Sequence, residues 1–146
     1  MKNTVTIVIA KCISWISKTF GLGAGETWAG EIALTISPNI LTFLIKKITK
    51  GIVIVAGTNG KTTTAGMITR ILEDAGYSVL HNASGANLLN GIVSAFFANY
   101  RNSHDYAVFE VDENALMSVI SNIPAFAEAS VGRQFPIKKP IVGGLI

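Results

Sequence analysis

The run GTNGKTTT, Gly57–Thr64, brings together glycines, an asparagine, a lysine and consecutive threonines, residue types that in concert hold phosphate. In such a loop, successive backbone N–H groups point into a concavity while the following helix presents its positive end to the same ligand. Side chains at Gly57 or Gly60 would obstruct that approach or forbid the backbone angles it needs. Lys61 offers a point charge to the β and γ phosphates, and Thr62 offers a hydroxyl to Mg2+. Gly57, Thr58, Asn59, Gly60, Lys61, Thr62 and Thr63 are therefore candidate ligands for the phosphates of a nucleotide such as ATP.

A second candidate lies further along. Glu110 sits at the carboxyl end of DYAVFEV, Asp105–Val111, where a carboxylate beside the loop can reach a magnesium ion held by the phosphates. With Thr62 it makes the candidate metal pair. Asp112 projects from the same face and Glu113 from the other; both suit the start of a following helix, where acids favour the dipole, and neither is assigned chemistry. Asn82, Ser84 and Asn87, in HNASGAN, are candidates for a loop that touches substrate. Turn formation and capping of the next helix explain the same residues equally well. His81 is read as a packed or solvent-facing residue.

These groups need a scaffold that carries them to one edge. Gly51–Gly57 contains IVIVA, a continuous apolar run without alternation, the pattern of a strand buried on both faces of a parallel sheet. Ile68, Ile71, Leu72 and Ala75 then recur at the spacing of a packed helix, with Gly76 as its cap. A short strand over Tyr77–His81, a helix over Leu88–Tyr100, the strand Asp105–Val111 and a helix from Asn114 to Asn122 follow. Strands alternating with helices imply an α/β fold, a parallel-sheet P-loop nucleotide-binding core.

Upstream, Ile9, Cys12, Ile13 and Ile16 match helical spacing within residues 4–20, although a strand rich in Val, Ile and Thr is the alternative. Gly21–Gly30 is glycine-rich and reads as loop. Pro38 opens another helix, with Leu41, Leu44, Ile45 and Ile48 on one face. Residues 1–50 form a helical lead-in, residues 51–123 the core, and residues 124–146, with three of the four prolines and no clear period, an irregular tail.

The 146 residues suffice for one core. Apolar residues make up 49% and charged residues 14%, with mean hydropathy +0.46, so part of the surface is expected to be covered. A net charge of +3 suits anionic ligands. Apart from Lys46, Lys47 and Lys50 the basic residues are scattered and without interleaved aromatics, which disfavours nucleic acid. One cysteine, Cys12, excludes an internal disulfide and fits a reducing compartment. Residues 4–20 are too short and too charged for a transmembrane segment.

The general phosphate-loop pattern places its first glycine at position 55, which here is valine. GTNGKTTT instead resembles the variant loop of the Mur ligase family, the ATP-dependent amide ligases of peptidoglycan assembly. PNIL, HNASGANLLNGIVSAF and YAVFEVDENAL extend the resemblance to the MurT branch over about residues 20–123. The resemblance implies ATP and Mg2+ as cofactors, with Glu110 as the metal-binding glutamate. It also implies a glutamine amidotransferase subunit as partner, and as substrate a lipid-linked peptidoglycan precursor, lipid II, whose D-glutamate carboxyl is activated for amidation. The Arg-Asp motif, four-cysteine zinc ribbon and C-terminal domain of that branch have no counterpart here, so the expectation is an incomplete, N-terminal fragment, inactive alone. A nucleotide-binding remnant without turnover, or an unrelated P-loop NTPase, are the other readings.

Overall fold

The computed structural model describes residues 5–10, 12, 25–82, 88–99, 101–123 and 141–144. Residues 5–10 are helical (α1), followed by α2 (Gly25–Ile36), α3 (Ile40–Ile45), β1 (Ile48–Ala56), α4 (Lys61–Asp74), β2 (Val79–His81), α5 (Leu89–Ala98), β3 (His104–Val111), α6 (Leu116–Ser121) and β4 (Ile141–Gly144). The strands form one parallel sheet in the order β2-β3-β1-β4.

Because side chains alternate along a strand, each sheet face collects a different set. Ile52, Ile54, Leu80, Ala107, Phe109 and Val111 join the larger core with residues of α2, α3 and α5. Phe96 of α5 meets Phe109 at 6.1 Å between ring centroids. Val53, Val55, Val79 and Val108 face the other way and pack beneath Ala65, Ile68 and Leu72 of α4. The sheet is thus sandwiched between helices, an α/β architecture.

Several expected elements are shifted. The packed face of α4 is Ala65, Ile68 and Leu72, whereas Ile71 is 68% exposed and Ala75 is exposed. Ile71 lies about 100° around the helix from Leu72, too far to reach the sheet. Gly76 does cap α4: its φ is 85°, and the Tyr77 N–H bonds back to the Leu72 carbonyl at 3.1 Å. In α1 the buried residues are Thr6 and Ala10, while Ile9 and Cys12 are exposed; Ile13 and Ile16 lie outside the described residues. Ile48 is not on the helical face of α3 but opens β1.

The stretch Gly21–Gly30, expected as loop, is helical from Gly25 onward. Its last glycine serves contact, not a turn. A Cβ on Gly30 would lie 1.8 Å from the Asn90 carbonyl oxygen, and the Gly30 N–H donates to Ser94 Oγ at 2.7 Å. Bare backbone lets α2 lie directly on α5. Ile141–Gly144, within the tail that shows no period, forms a fourth strand against β1 from Val53 to Ala56. That pairing occupies an edge that three strands alone would leave open. Among the described residues no helix is long and apolar enough to cross a membrane.

His104, at the start of β3, is 4% exposed. Its Nε2 bonds the Asn99 carbonyl at 3.1 Å, so Nε2 carries the proton and Nδ1, which has no partner, does not. Burial holds its pKa below the ordinary histidine value, and the charges of Arg101 and Lys47 push the same way. A folded-state pKa below the unfolded one means that protonation favours unfolding. Stability is therefore expected to fall as pH drops below about 6.5. Thermal melts between pH 7.5 and 5.5 should show this loss in the parent chain and a flatter profile in His104→Gln. Parallel profiles would rule it out.

Candidate phosphate-binding site

The loop leaves β1 at Ala56 and enters α4 at Lys61. Gly60 has φ 74° and ψ 2°, a left-handed conformation that ordinary side chains avoid. Open space surrounds the position its Cβ would take, so dihedral angle and not crowding requires glycine here. Gly57 also has positive φ, 151°. The Thr64 N–H closes the first helical turn on the Gly60 carbonyl at 2.9 Å. The N–H groups of Lys61, Thr62 and Thr63 have no carbonyl within the helix to bond, and they are available to an anion. Thr58, Asn59 and Thr63 are exposed at the same end.

Lys61 folds back over the loop it follows. Its Nζ donates to the Gly57 carbonyl at 2.5 Å and more weakly to the Thr58 carbonyl at 3.5 Å. The ammonium group therefore lies across the loop, on its own carbonyls.

Alternation along β3 puts Glu110 on the face beneath α4, with Val108. Its side chain is 2% exposed. Thr62 Oγ1 donates to Glu110 Oε2 at 2.8 Å, so the two candidate metal ligands, 48 residues apart, are in contact. His81 Nε2 lies 3.2 Å from the other carboxylate oxygen, Oε1. Two different donors thus hold the two oxygens of one buried carboxylate.

Asn82 is engaged with the neighbouring strand. It is 2% exposed, its Nδ2 donates to the Glu110 carbonyl at 2.9 Å, and its Oδ1 accepts from the Glu110 N–H at 2.8 Å. β2 ends at His81, so β3 would lose its neighbour on that side. The Asn82 side-chain amide imitates a peptide and extends the ladder by one rung. It therefore supports Glu110 from within. Ser84 and Asn87 lie outside the described residues.

Sequence reasoning passed over two residues that the fold brings in. His81 shares the parity of Val79 on β2, which puts it on the α4 face, but that relation to Glu110 follows only once β2 is known to neighbour β3. Glu113 escapes parity because the chain has left the strand. Its carboxylate is held below the usual range by its own backbone N–H and by the Thr58 hydroxyl, with the Lys61 charge adding to the effect. Asp112 makes the turn, accepting from the Asn114 N–H at 3.0 Å. Among the described residues no three His, Cys, Asp or Glu side chains cluster to hold a metal by themselves.

Residues 55–131, which include the loop and Glu110, match the Mur ligase middle domain. The chain belongs to the Mur ligase family. It is similar to the lipid II isoglutaminyl synthase (glutamine-hydrolyzing) subunit MurT of Staphylococcus aureus strain COL, at 33% identity over 84% of this chain and 28% of that protein. The subunit of the same name from Streptococcus pneumoniae (strain ATCC BAA-255 / R6) is 38% identical over 70% of this chain and 23% of its own length. The chain thus spans about a quarter of the relatives it matches. The α/β sheet is consistent with the Mur ligase middle-domain fold, and the matched residues include both the Gly57–Thr64 loop and β3.

Proposed function

We propose that this chain contributes the ATP-binding portion of a MurT-type amide ligase, with residues 51–123 as its partial central domain. In this reading the enzyme activates the D-glutamate carboxyl of lipid II in the cytoplasm, and a glutamine amidotransferase subunit delivers ammonia. The relatives, which are subunits of a glutamine-hydrolyzing lipid II isoglutaminyl synthase, support the substrate and the second subunit. The observation that carries the nucleotide part is the 2.8 Å contact between Thr62 Oγ1 and Glu110 Oε2 beside the loop.

The residues present fit magnesium. It takes oxygen ligands and keeps company with phosphates and one or two protein groups, which matches a hydroxyl and a carboxylate beside the loop and explains why no three-residue metal cluster is needed. Thr62 and Glu110 would hold the ion. ATP, when bound, supplies the phosphoryl group that activates a carboxylate. The chain's own part is positional: the N–H groups of Gly60 to Thr63 bind phosphate oxygens, and Lys61 exchanges the Gly57 and Thr58 carbonyls for them. A closed site between domains then keeps water from the activated carboxyl.

Glu110→Gln tests the metal assignment. The amide keeps the shape and the Thr62 contact but loses the charge. ATP affinity with magnesium present is expected to fall about tenfold, the value of one charge-assisted contact of about 1.5 kcal/mol, with little change in EDTA. Equilibrium dialysis of ATP under both conditions measures it. A loss of equal size in EDTA would assign Glu110 to the fold.

A further inference from the structure

Glu110 is 1% exposed, and a carboxylate in that position needs donors on both oxygens to keep one orientation. Thr62 serves Oε2, the oxygen nearer the loop, from the first turn of α4. Its hydroxyl is shared between the carboxylate and any cation that the phosphates bring. The other oxygen, Oε1, has His81, which comes from the neighbouring strand on the same face of the sheet and is itself largely buried, with 16% of its side chain exposed. In either protonation state the ring can present an N–H to the carboxylate, so the contact does not depend on charge. The next residue, Asn82, fixes the Glu110 main chain through two further hydrogen bonds. Two consecutive residues at the end of β2 thus clamp Glu110, one by its backbone and one by its side chain.

We propose that His81 is a positioning residue for the cation site: by holding Oε1 it keeps Oε2 of Glu110 turned toward Thr62, the two groups that would hold the ion. This rests on the reading of Glu110 as a metal ligand. Groups that orient a ligating carboxylate from behind change metal affinity about ten- to a hundredfold when removed. The contact that the structure gives His81 is with Glu110, so its effect is expected in the metal-dependent part of nucleotide binding. Glutamine at 81 places an amide N–H at a similar reach and is the conservative replacement.

The experiment measures ATP binding by equilibrium dialysis in magnesium and in EDTA for the parent chain, His81→Ala, His81→Gln and Glu110→Gln, with thermal melts alongside. The ratio of the two affinities is the readout, because a purely structural role moves both together. His81→Ala is expected to lose about tenfold or more of the magnesium enhancement, His81→Gln to recover part of it, and both to keep the parent affinity in EDTA. Full enhancement in His81→Ala alongside its loss in Glu110→Gln overturns the role of His81 and leaves the metal ligand standing. Full enhancement in Glu110→Gln removes the metal reading, and this inference with it. Equal losses in EDTA and magnesium for both His81 variants would make His81 a fold residue only.

Discussion

Alanine at Gly30 is expected to destabilise the protein by about 2 kcal/mol, although alanine is the better helix former by about 1 kcal/mol. The two effects oppose each other, and geometry decides between them. A Cβ at this position meets the Asn90 carbonyl oxygen at 1.8 Å and Ser94 Oγ at 2.7 Å. Ser94 can rotate, but a carbonyl within α5 cannot move without the helix, so α2 and α5 must separate. Gly66, inside α4, is the internal control: nothing lies within 4 Å of its would-be Cβ. Gly66→Ala is expected to stabilise by about 0.5–1 kcal/mol through helix propensity and a less flexible unfolded chain. Thermal melts should therefore shift in opposite directions, down by about 4–8 °C for Gly30→Ala and slightly up for Gly66→Ala. Shifts of the same sign would show that the α2–α5 contact does not limit stability.

The same pair of glycines shows what was legible in the sequence. Spacing and composition expose local geometry, so the order strand, loop, helix around Gly57–Thr64, the buried β1 and β3, and Gly76 as a cap could all be read from neighbouring residues. Glycine density at 21–30 suggested loop because glycine is locally flexible, yet Gly30 answers to Asn90 and Ser94, sixty residues away. Ile71 looked like a core residue because it is apolar and near the right spacing; what leaves it exposed is the position of the sheet under Ala65, Ile68 and Leu72. β4 pairs with β1 through a connection of more than eighty residues, which no local period announces. At the site, parity placed Glu110 on the loop's side of the sheet. The clamp of His81 and Asn82 was hidden because it needs β2 and β3 to lie side by side in the sheet, and no local spacing announces a contact between residues nearly thirty apart.

Lys61→Ala is expected to weaken Mg-ATP binding about ten- to a hundredfold, the value of a charged contact worth roughly 1.5–3 kcal/mol. The starting state matters to the size. Lys61 already spends its ammonium on the Gly57 and Thr58 carbonyls, and nucleotide binding must exchange those acceptors for phosphate oxygens. Neutral carbonyls hold a cation less strongly than anionic oxygens do, so the exchange favours binding, but only by the difference. The loss is therefore expected nearer ten than a hundred. The fold should be indifferent, because Thr58 is exposed and Gly57 only half-buried, and water can take over the released carbonyls. Arginine is not expected to rescue the function: its broad planar fork does not fit where a compact ammonium reaches across a single turn of loop. Circular dichroism and ATP titration of parent, Lys61→Ala and Lys61→Arg decide the matter. Equal ATP affinity in parent and alanine variant would show that Lys61 belongs to the loop alone and that the cradle holds its phosphates without it.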